Sequence, residues 1–380
     1  MKRASIRFLP FLLLLVFFSC TSKDQEKTGT ILPNDPSATE ETVNLYQNLH
    51  ALAGKSVLIG HQDDLAYGIG WKGDEFRSDI NDVCGQFPAV FGWDLGKIGT
   101  DYNIDSVPFA SMKVWAVKAY QKGGINTYSW HMDNLSTGGN SWDITPSIMD
   151  ILPGGKKHEA YLQQLDLVAG FFASLTNDDG TPVPIVFRPF HEMNGGWFWW
   201  GAASCTPEEY KRLYRFTVEY LRDTKNLHHI IYAFSTDVFT SVDEYLRYYP
   251  GDEYVDILGF DDYRGLKNKE NSYLTVRMLE TLDSLSSARS KIFTISETGL
   301  ERITDPNWFT GVVLPVLKTN ESTQRASWML LWRNGRPDHF YAPYPGQQSA
   351  DDFIVFAADS LTGFLNDNRS FYSAADNKKD

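Results

Sequence analysis

Short apolar runs rich in β-branched and aromatic residues alternate with helical stretches along most of this 380-residue chain. Such alternation is typical of parallel strands joined by helical crossovers. The number of strands narrows the choice of fold, and eight runs fit the pattern. They cover residues 56–61, 88–95, 125–131, 183–192, 229–235, 255–263, 291–297 and 326–333. Eight such units in one domain predict an α/β fold, a single (β/α)8 TIM barrel.

Helices are predicted between most of these strands, near residues 107–122, 157–176, 206–225, 242–248, 270–288 and 308–319, with a last one near 350–365. The helix start at Thr206 is the clearest, because Pro207 takes the first helical position and Glu208 and Glu209 place acids in the first turn. The interval after the first strand shows no clear pattern. No linker-like block interrupts the sequence after residue 40, which favours one domain.

Polar and aromatic side chains collect where the predicted strands end. These positions are His61, Gln62, Asp63, Trp93, Asp94, Trp130, His131, His191, Glu192, Ser235, Thr236, Asp237, Asp261, Asp262, Tyr263, Glu297, Trp332 and Arg333. The strand starts carry mostly ordinary residues. Because the active site of a TIM barrel lies at the C-terminal ends of its strands, the pattern predicts one shared pocket there.

Two glutamates end the fourth and seventh predicted strands. Glu192 precedes a segment of glycines and tryptophans that runs to residue 201, and Glu297 precedes Thr298 and Gly299. Apolar walls raise the pKa of a carboxyl group, as a general acid requires, and indole faces stack on sugar rings. Glycoside hydrolysis uses two facing carboxylates, about 5–5.5 Å apart in retaining enzymes. The sequence therefore predicts Glu192 and Glu297 as a catalytic pair.

The chain resembles glycoside hydrolase family 26, whose commonest members are bacterial β-mannanases. The resemblance is carried by Arg-Pro-Phe-His-Glu at residues 188–192 with Trp197 after it, Phe-Asp-Asp-Tyr at 260–263, Ser-Glu at 296–297 and Trp-Arg at 332–333. It covers about residues 40–370. The resemblance implies a retaining endo-β-1,4-mannanase that hydrolyses β-mannan, glucomannan or galactomannan through a covalent glycosyl-enzyme intermediate, with Glu192 as acid/base and Glu297 as nucleophile.

Further site residues carry over from the same resemblance. They are His131 at the end of the third strand, His191 beside the acid, Trp197 as a stacking wall, Asp261 and Tyr263 near the nucleophile, Trp332 as the floor under the glycone sugar, and Arg333 as a contact to a further sugar hydroxyl. The reaction needs no cofactor. A β-glucanase or β-xylanase on the same barrel is the nearest alternative. A non-catalytic glycan-binding surface lipoprotein is another, although such a protein gains nothing from burying two like charges close together.

Several strand-end residues also have structural interpretations. Glu192 could form an ion pair with Arg188, and Glu297 could cap the loop that follows it. Turn or loop roles explain Asp94, Asp101, Asp133 and Asp237 at least as well as sugar binding does, so they are left outside the predicted site. His61, Asp63 and Asp64 have no supporting cluster, so no metal is expected.

The charge balance limits the partners. The net charge is −13 and no basic cluster stands out, which argues against a nucleic-acid partner and fits a neutral polysaccharide. We expect the protein to be a monomer.

Cys84 and Cys205 could form a disulfide or remain free thiols.

The beginning of the chain has the layout of a secretory signal. Basic residues precede the apolar stretch 8–18, and Cys20 follows it, which resembles a bacterial lipoprotein processing site. Ordinary cleavage nearby is the alternative. The predicted organisation is a signal peptide at 1–19, a flexible tether at 20–38, the catalytic domain at 39–372 and a polar tail at 373–380. This organisation predicts an extracytoplasmic protein, lipid-anchored to the bacterial outer membrane, with the cell surface slightly favoured over the periplasmic face.

Overall fold

The computed structural model describes residue 1, residues 31–365 and residues 370–374. Cys20, the predicted signal peptide, the first part of the predicted tether and most of the predicted polar tail lie outside the described residues.

Eight parallel strands form a closed barrel, and we number them β1 to β8 in chain order. They are β1 (Val57–Gln62), β2 (Val90–Asp94), β3 (Ile125–Trp130), β4 (Ile185–Pro189), β5 (Ile230–Thr236), β6 (Ile257–Asp262), β7 (Ile292–Thr298) and β8 (Trp328–Leu331). Each strand pairs with the next, and β8 returns to β1 with Leu58 opposite Trp328 and His61 opposite Leu331. The predicted (β/α)8 barrel is therefore confirmed.

Ten α-helices are present among the described residues. They are α1 (Glu40–Ala51), α2 (Asp79–Cys84), α3 (Phe109–Gln121), α4 (Ile148–Ile151), α5 (His158–Ala173), α6 (Pro207–Glu219), α7 (Val242–Leu246), α8 (Ser272–Arg289), α9 (Leu314–Leu317) and α10 (Ala350–Ala357). Helix α6 begins as predicted, because the Thr206 hydroxyl accepts from the Glu209 amide and the Glu209 carboxylate accepts from the Thr206 amide. No helix of this part of the chain is long and apolar enough to cross a bilayer.

The barrel strands are buried on both faces. Leu58, Val90, Ile125 and Val186 belong to an apolar cluster inside the barrel, whereas neighbouring residues such as Ile59 belong to a second cluster under the helices. This arrangement follows from the two-residue period of a strand, because successive side chains point to opposite faces. It also explains why the strands appear in the sequence as nearly continuous apolar runs.

Helix α1 closes the end of the barrel opposite the strand C-termini, and the sequence pattern did not predict it. Its buried residues Leu45, Tyr46 and Leu49 join the interior cluster, and the Tyr46 hydroxyl donates to the Asp256 carbonyl at 2.9 Å. Thr39 caps the helix by accepting from the Thr42 amide at 3.3 Å. The strand C-termini are therefore the end of the barrel left for a site.

The segment before α1 contacts the same closed end. The Asn34 amide donates to an Asp256 carboxylate oxygen at 2.6 Å, and Asp35 lies 2.8 Å from the His228 ring. These two residues fall within the predicted tether of residues 20–38. The last part of that segment is therefore fixed to the barrel by hydrogen bonds.

Two local features change the predicted picture. The prediction that Glu192 ends the fourth strand was wrong, because β4 ends at Pro189 and Glu192 lies three residues beyond it. The interval after β1 contains a hairpin, in which Tyr67–Gly68 pairs with Trp71–Lys72, followed by α2.

Cys84 and Cys205 are free thiols, which resolves the alternative left open by the sequence.

Candidate active site

The predicted site residues lie together at the C-terminal end of the barrel. Glu297, Asp261 and Tyr263 come from β7, β6 and the residue after β6, and Glu192, His191 and Trp197 come from the loop after β4. His131 follows β3, and Trp332 and Arg333 follow β8. The contacts described below connect these residues into one site that spans the mouth of the barrel.

A β-bulge in β7 sets the position of Glu297. Phe260 pairs with Ile295 and Asp261 pairs with Glu297, so Ser296 is an extra residue on β7. The pairing with β8 shifts over the same segment. Gly259 makes room for this bulge, because a Cβ there would lie 2.1 Å from the Ser296 hydroxyl oxygen. Bulges re-aim side chains next to active sites, and this one places Glu297 beside Asp261.

Buried Arg188 joins two carboxylates at the centre of the site. One guanidinium nitrogen donates to Asp261 at 2.9 Å, and the other donates to Glu297. The second Glu297 oxygen accepts from the Tyr263 hydroxyl at 3.1 Å, and the Ser235 hydroxyl donates to Asp261 at 2.9 Å. Glu297 is thus neutralised and fixed through both of its oxygens. Arg188 does not pair with Glu192, so the structural interpretation of that glutamate as an Arg188 partner was wrong.

Three side chains of this arrangement could also be considered as ligands of a metal ion. Nitrogen or oxygen atoms of His191, Asp261 and Glu297 lie within 4.8 Å of one another, which is close enough to hold a cation. The guanidinium of Arg188 already places a positive charge on both carboxylates of this group. The donor set therefore favours the internal ion pair over an added metal ion.

Glu192 has a different environment from Glu297. Its Oε2 accepts from the Trp197 indole at 2.7 Å, and its backbone amide donates to the Ser235 carbonyl at 2.9 Å. Enclosure by protein is the main reason that the pKa of Glu192 is raised to about 8, and the negative charges of Glu297 and Asp237 add to this effect. A carboxyl group with this pKa is largely protonated at neutral pH.

The backbone at Glu192 is in an unusual conformation. Phe190 and Glu192 have φ angles of 55° and 54°, in the left-handed region that residues other than glycine seldom adopt. The Tyr210 hydroxyl fixes this turn by donating to the Phe190 carbonyl at 3.0 Å. Strain of this kind persists where surrounding contacts hold it, and it turns the carboxyl of Glu192 out of the strand direction.

Two histidines lie between the glutamates and the β8 end of the mouth. The rings of His131 and His191 meet edge to face with their centroids 4.6 Å apart, and Trp332 lies 6.4 Å from the His131 ring. Burial lowers the pKa of His191, and the nearby Arg188 and His131 lower it further, so His191 is neutral. His131 differs, because its Nδ1 lies 2.7 Å from the buried carboxylate of Asp94.

The tryptophans after Glu192 divide into two groups. Trp197 is partly exposed in the site, whereas Trp199 and Trp200 are fully buried and donate to the carbonyls of Met132 and His191. Trp142 was not predicted as a site residue. It is half exposed, and its ring stacks on His131 at a centroid distance of 5.4 Å. The mouth therefore offers aromatic surface on both sides of the histidines.

A cavity of about 670 Å³ lies beside Arg333, at the edge of the site. Its wall is formed by the hairpin after β1, the loop after β2 and the loop after β8. Arg333 lies 3.0 Å from Asp105, and a guanidinium nitrogen of Arg333 donates to the Tyr67 hydroxyl at 3.4 Å. These contacts hold Arg333 at the boundary between the catalytic residues and the cavity.

Comparison with known proteins agrees with this geometry. The sequence profile of glycosyl hydrolase family 26 matches residues 34–301. The chain belongs to glycosyl hydrolase family 26. A mannan endo-1,4-β-mannosidase of Bifidobacterium adolescentis is 32% identical over 94% of the chain. The chain spans only 38% of the length of that relative, and 74% of a Bacillus subtilis mannan endo-1,4-β-mannosidase with 30% identity.

Solved structures of the family have the same fold. A family 26 β-mannanase from Bacteroides ovatus is 41% identical, with a TM-score of 0.85, and the match covers 90% of this chain and all of that one. A modular endo-β-1,4-mannanase from Cellulomonas fimi is 35% identical with a TM-score of 0.84, and the match covers 91% of this chain and 81% of that one.

Three residues that shape the site, Arg188, Asp94 and Trp142, were not predicted to belong to it. An arginine inside an apolar strand was a usable signal, because a buried cation requires an anionic partner. Asp94 was noted at a strand end, but its contact with His131 spans 37 residues of sequence. Trp142 lies in the long loop after β3, where no periodic pattern assigns a position.

We expect Arg188→Met to destabilise the fold by about 3–5 kcal/mol at neutral pH, because it leaves two buried carboxylates without their shared cation. In this variant, burial still raises the pKa of Asp261, and the guanidinium that lowers this pKa is gone, so the folded-state pKa of Asp261 lies above the unfolded value. Stability should then be recovered as the pH falls and lost as it rises. Urea unfolding at pH 5 and pH 8 measures both effects.

The matched control is Arg336→Met, which removes an exposed ion pair with Asp338. This change should cost less than about 1 kcal/mol and show no such pH dependence. Equal stability losses in the two variants would contradict the central role of the Arg188 ion pairs.

Proposed function

We propose that this chain hydrolyses β-1,4-mannosidic bonds inside mannan-type polysaccharides with retention of the anomeric configuration. The observation that carries the proposal is the difference between the two glutamates. Glu297 is neutralised by Arg188, whereas Glu192 has no cationic partner and a pKa raised to about 8. Two carboxyl groups in environments that favour different protonation states are suited to different roles, one as the acid and the other as the nucleophile. The named activities of the family relatives support mannan as the substrate.

In the first step, Glu297 attacks the anomeric carbon while the carboxyl proton of Glu192 passes to the leaving glycosidic oxygen. The Tyr263 hydroxyl and Arg188 fix the orientation of Glu297 before the attack. A carbon–oxygen bond forms to Glu297 as the bond to the leaving group breaks. The product is a glycosyl-enzyme ester, and Glu192 is left as a carboxylate.

In the second step, Glu192 accepts a proton from water, and the resulting nucleophile attacks the anomeric carbon. The bond to Glu297 breaks as the new bond forms, which releases the Glu297 carboxylate and the free sugar and leaves Glu192 protonated for the next cycle. Once Glu297 is esterified, one of the negative charges that raise the pKa of Glu192 is removed, which favours its ionised form in this step. Two displacements at the same carbon retain the β configuration.

The remaining predicted residues have proposed roles in substrate binding. Trp332 provides an apolar face for the sugar bound beside the nucleophile, and Trp197 provides one near the acid. His131 and His191 lie within reach of sugar hydroxyls, Asp261 holds Arg188 in place, and Arg333 binds a hydroxyl at the cavity edge. The partly exposed surfaces of Trp197, Trp332 and Arg333 support these roles.

We expect Glu192→Gln and Glu297→Gln each to lower turnover on mannan by roughly 10²- to 10⁴-fold or more. With an aryl glycoside whose leaving group needs no proton, Glu192→Gln should still release the aryl group in a first burst. Glu297→Gln should show no burst, because it lacks the nucleophile. Stopped-flow release of the aryl group separates the two cases.

The control is Glu301→Gln, which changes an exposed glutamate four residues after Glu297 and should keep full activity. Parent-like turnover in Glu192→Gln or Glu297→Gln would end the assignment of the pair. Faster hydrolysis of mixed-linkage glucan or xylan than of mannan by the parent would leave the mechanism in place and change the substrate.

The raised pKa of Glu192 predicts the alkaline side of the pH profile. Because the acid works in its protonated form, kcat/KM should fall as the pH rises through about 8. The Trp197 indole lowers this pKa by donating to the carboxylate, so Trp197→Phe should move the fall to higher pH. Profiles of kcat/KM between pH 5 and pH 10 measure the shift.

Trp142→Phe is the control for this shift, because Trp142 has no hydrogen bond to Glu192 and should leave the position of the alkaline fall unchanged. A fall that stays in place in Trp197→Phe would show that the indole does not stabilise the Glu192 carboxylate.

We also propose that the protein is a lipid-anchored monomer on the bacterial outer membrane, attached through Cys20. The support is the sequence alone: basic residues, the apolar stretch 8–18 and Cys20. The acidic and lysine residues after Cys20 resemble export signals of surface lipoproteins, which favours the outer face, where long polysaccharide is accessible.

Cys20→Ala should abolish labelling of the full-length protein by a fatty-acid analogue and release the protein from the membrane fraction. Cys84→Ala is the matched control and should change neither result. Labelling that persists in Cys20→Ala would disprove the anchor. Protease added to intact cells then distinguishes the two faces, since complete protection of the protein would place it in the periplasm.

A further inference from the structure

Asp94 is the last residue of β2, and its fully buried carboxylate accepts hydrogen bonds through both oxygens. Its Oδ1 accepts from the Gly96 amide at 2.6 Å and from the His131 amide at 3.4 Å. Its Oδ2 accepts from the Ser129 hydroxyl at 2.6 Å and contacts His131 Nδ1 at 2.7 Å. A carboxylate surrounded by four hydrogen-bond donors is stabilised in its ionised form. Burying its charge without these donors would cost folding free energy.

His131 is fixed by this contact in one orientation. Nδ1 donates to Asp94, whereas Nε2 has no hydrogen-bond partner among the described residues. Three aromatic rings enclose the imidazole, with Trp142 stacked on it and Phe198 and Trp332 at its edges. The ring therefore has one nitrogen committed to Asp94 and one nitrogen available to a ligand.

The charges that face His131 come from several elements. Asp94 is the last residue of β2, Asp105 lies in the loop after β2, and Glu297 lies on β7. All three carboxylates favour a positive imidazole. His191, after β4, is the neighbouring titratable group, and it is neutral. Three anions thus act on His131, and Asp94 is in direct contact with it.

We propose that Asp94 is a positioning residue that holds His131 as an imidazolium, so that Nε2–H donates a hydrogen bond to a hydroxyl of the sugar bound beside Glu297. The sugar contact rests on the proposed mannanase function, whereas the charge state of His131 does not. A buried aspartate that orients a histidine and stabilises its cation acts through that histidine and does not touch the substrate.

The opposing effects on the pKa of His131 support this proposal. Burial alone would lower the pKa of His131, but the adjacent Asp94 and the more distant carboxylates raise it to about 9. At neutral pH, Nε2 therefore carries a proton. Loss of that proton would replace a donor by an acceptor at the same position, and a hydroxyl bound there would lose a charge-assisted hydrogen bond.

The first test reads the charge of His131 directly. ¹⁵N spectra of the histidine-labelled parent protein are recorded from pH 5 to pH 10, and the His131 signals are assigned by their absence in His131→Asn. Imidazolium shifts that persist through about pH 8 are expected. A neutral ring at pH 7 would overturn the proposal, whether or not the protein hydrolyses mannan.

The second test changes Asp94. In Asp94→Asn, His131 should lose its proton about a thousandfold more readily, because burial then acts without the adjacent carboxylate, and the ring should be mostly neutral at pH 7.5. On a mannan oligosaccharide, kcat/KM at pH 7.5 should fall about 10- to 100-fold, and the deficit should shrink towards pH 5.5, where His131 is protonated again. An equal deficit at every pH would show that Asp94 serves only the fold.

Asp256→Asn is the matched control. Asp256 is also buried and also accepts from backbone amides, those of Asn34 and Tyr232, but it lies at the closed end of the barrel. This variant should lower the Tm without moving the His131 titration or the pH profile. If Asp94→Asn does not fold, the titration of the parent still decides the charge of His131.

Discussion

A single buried guanidinium organises the site. Arg188 lies inside the barrel with almost no exposure, and a cation there requires nearby anions. Asp261 and Glu297 supply them from two adjacent strands, so the end of β4 is connected to β6 and β7 across the barrel. The same contacts fix Glu297 before any substrate arrives. Structural cohesion of the barrel mouth and orientation of the proposed nucleophile therefore depend on the same ion pairs.

The ion pair of Arg188 with Glu297 also contributes to the difference between the glutamates. The two terminal nitrogens of the guanidinium donate to Asp261 and Glu297. The Glu192 carboxyl instead accepts a hydrogen bond from the neutral Trp197 indole. Burial is the largest cause of the raised pKa of Glu192, and the negative charge of Glu297 adds to it. Preorganised polar groups of this kind need no rearrangement during the reaction. The histidines repeat the pattern, since Asp94 favours a charged His131 beside a neutral His191.

The sequence predicted the barrel and the end of it that carries the site, because strands buried on both faces leave continuous apolar runs with polar residues at their ends. Helix α1 was missed, since Leu45, Tyr46 and Leu49 form a narrow stripe that precedes the first strand. Arg188 was considered only as an ion-pair partner of Glu192, because its true partners, Asp261 and Glu297, are distant in the sequence. Asp94 was noted, but its contact with His131 depends on the parallel pairing of β2 with β3.

Both proposed catalytic residues lie where regular strand geometry is interrupted. Glu297 follows the extra residue Ser296 in β7, and Glu192 follows a turn with left-handed backbone beyond the end of β4. The two-residue period of a strand predicts the face of the sheet on which each side chain lies. It does not predict how far a bulge or a turn rotates that side chain. The alternation of residues predicts that two glutamates meet at the barrel mouth. Their orientation depends on Gly259, which lacks the Cβ that would meet the Ser296 hydroxyl, and on the hydrogen bond from the Tyr210 hydroxyl to the Phe190 carbonyl.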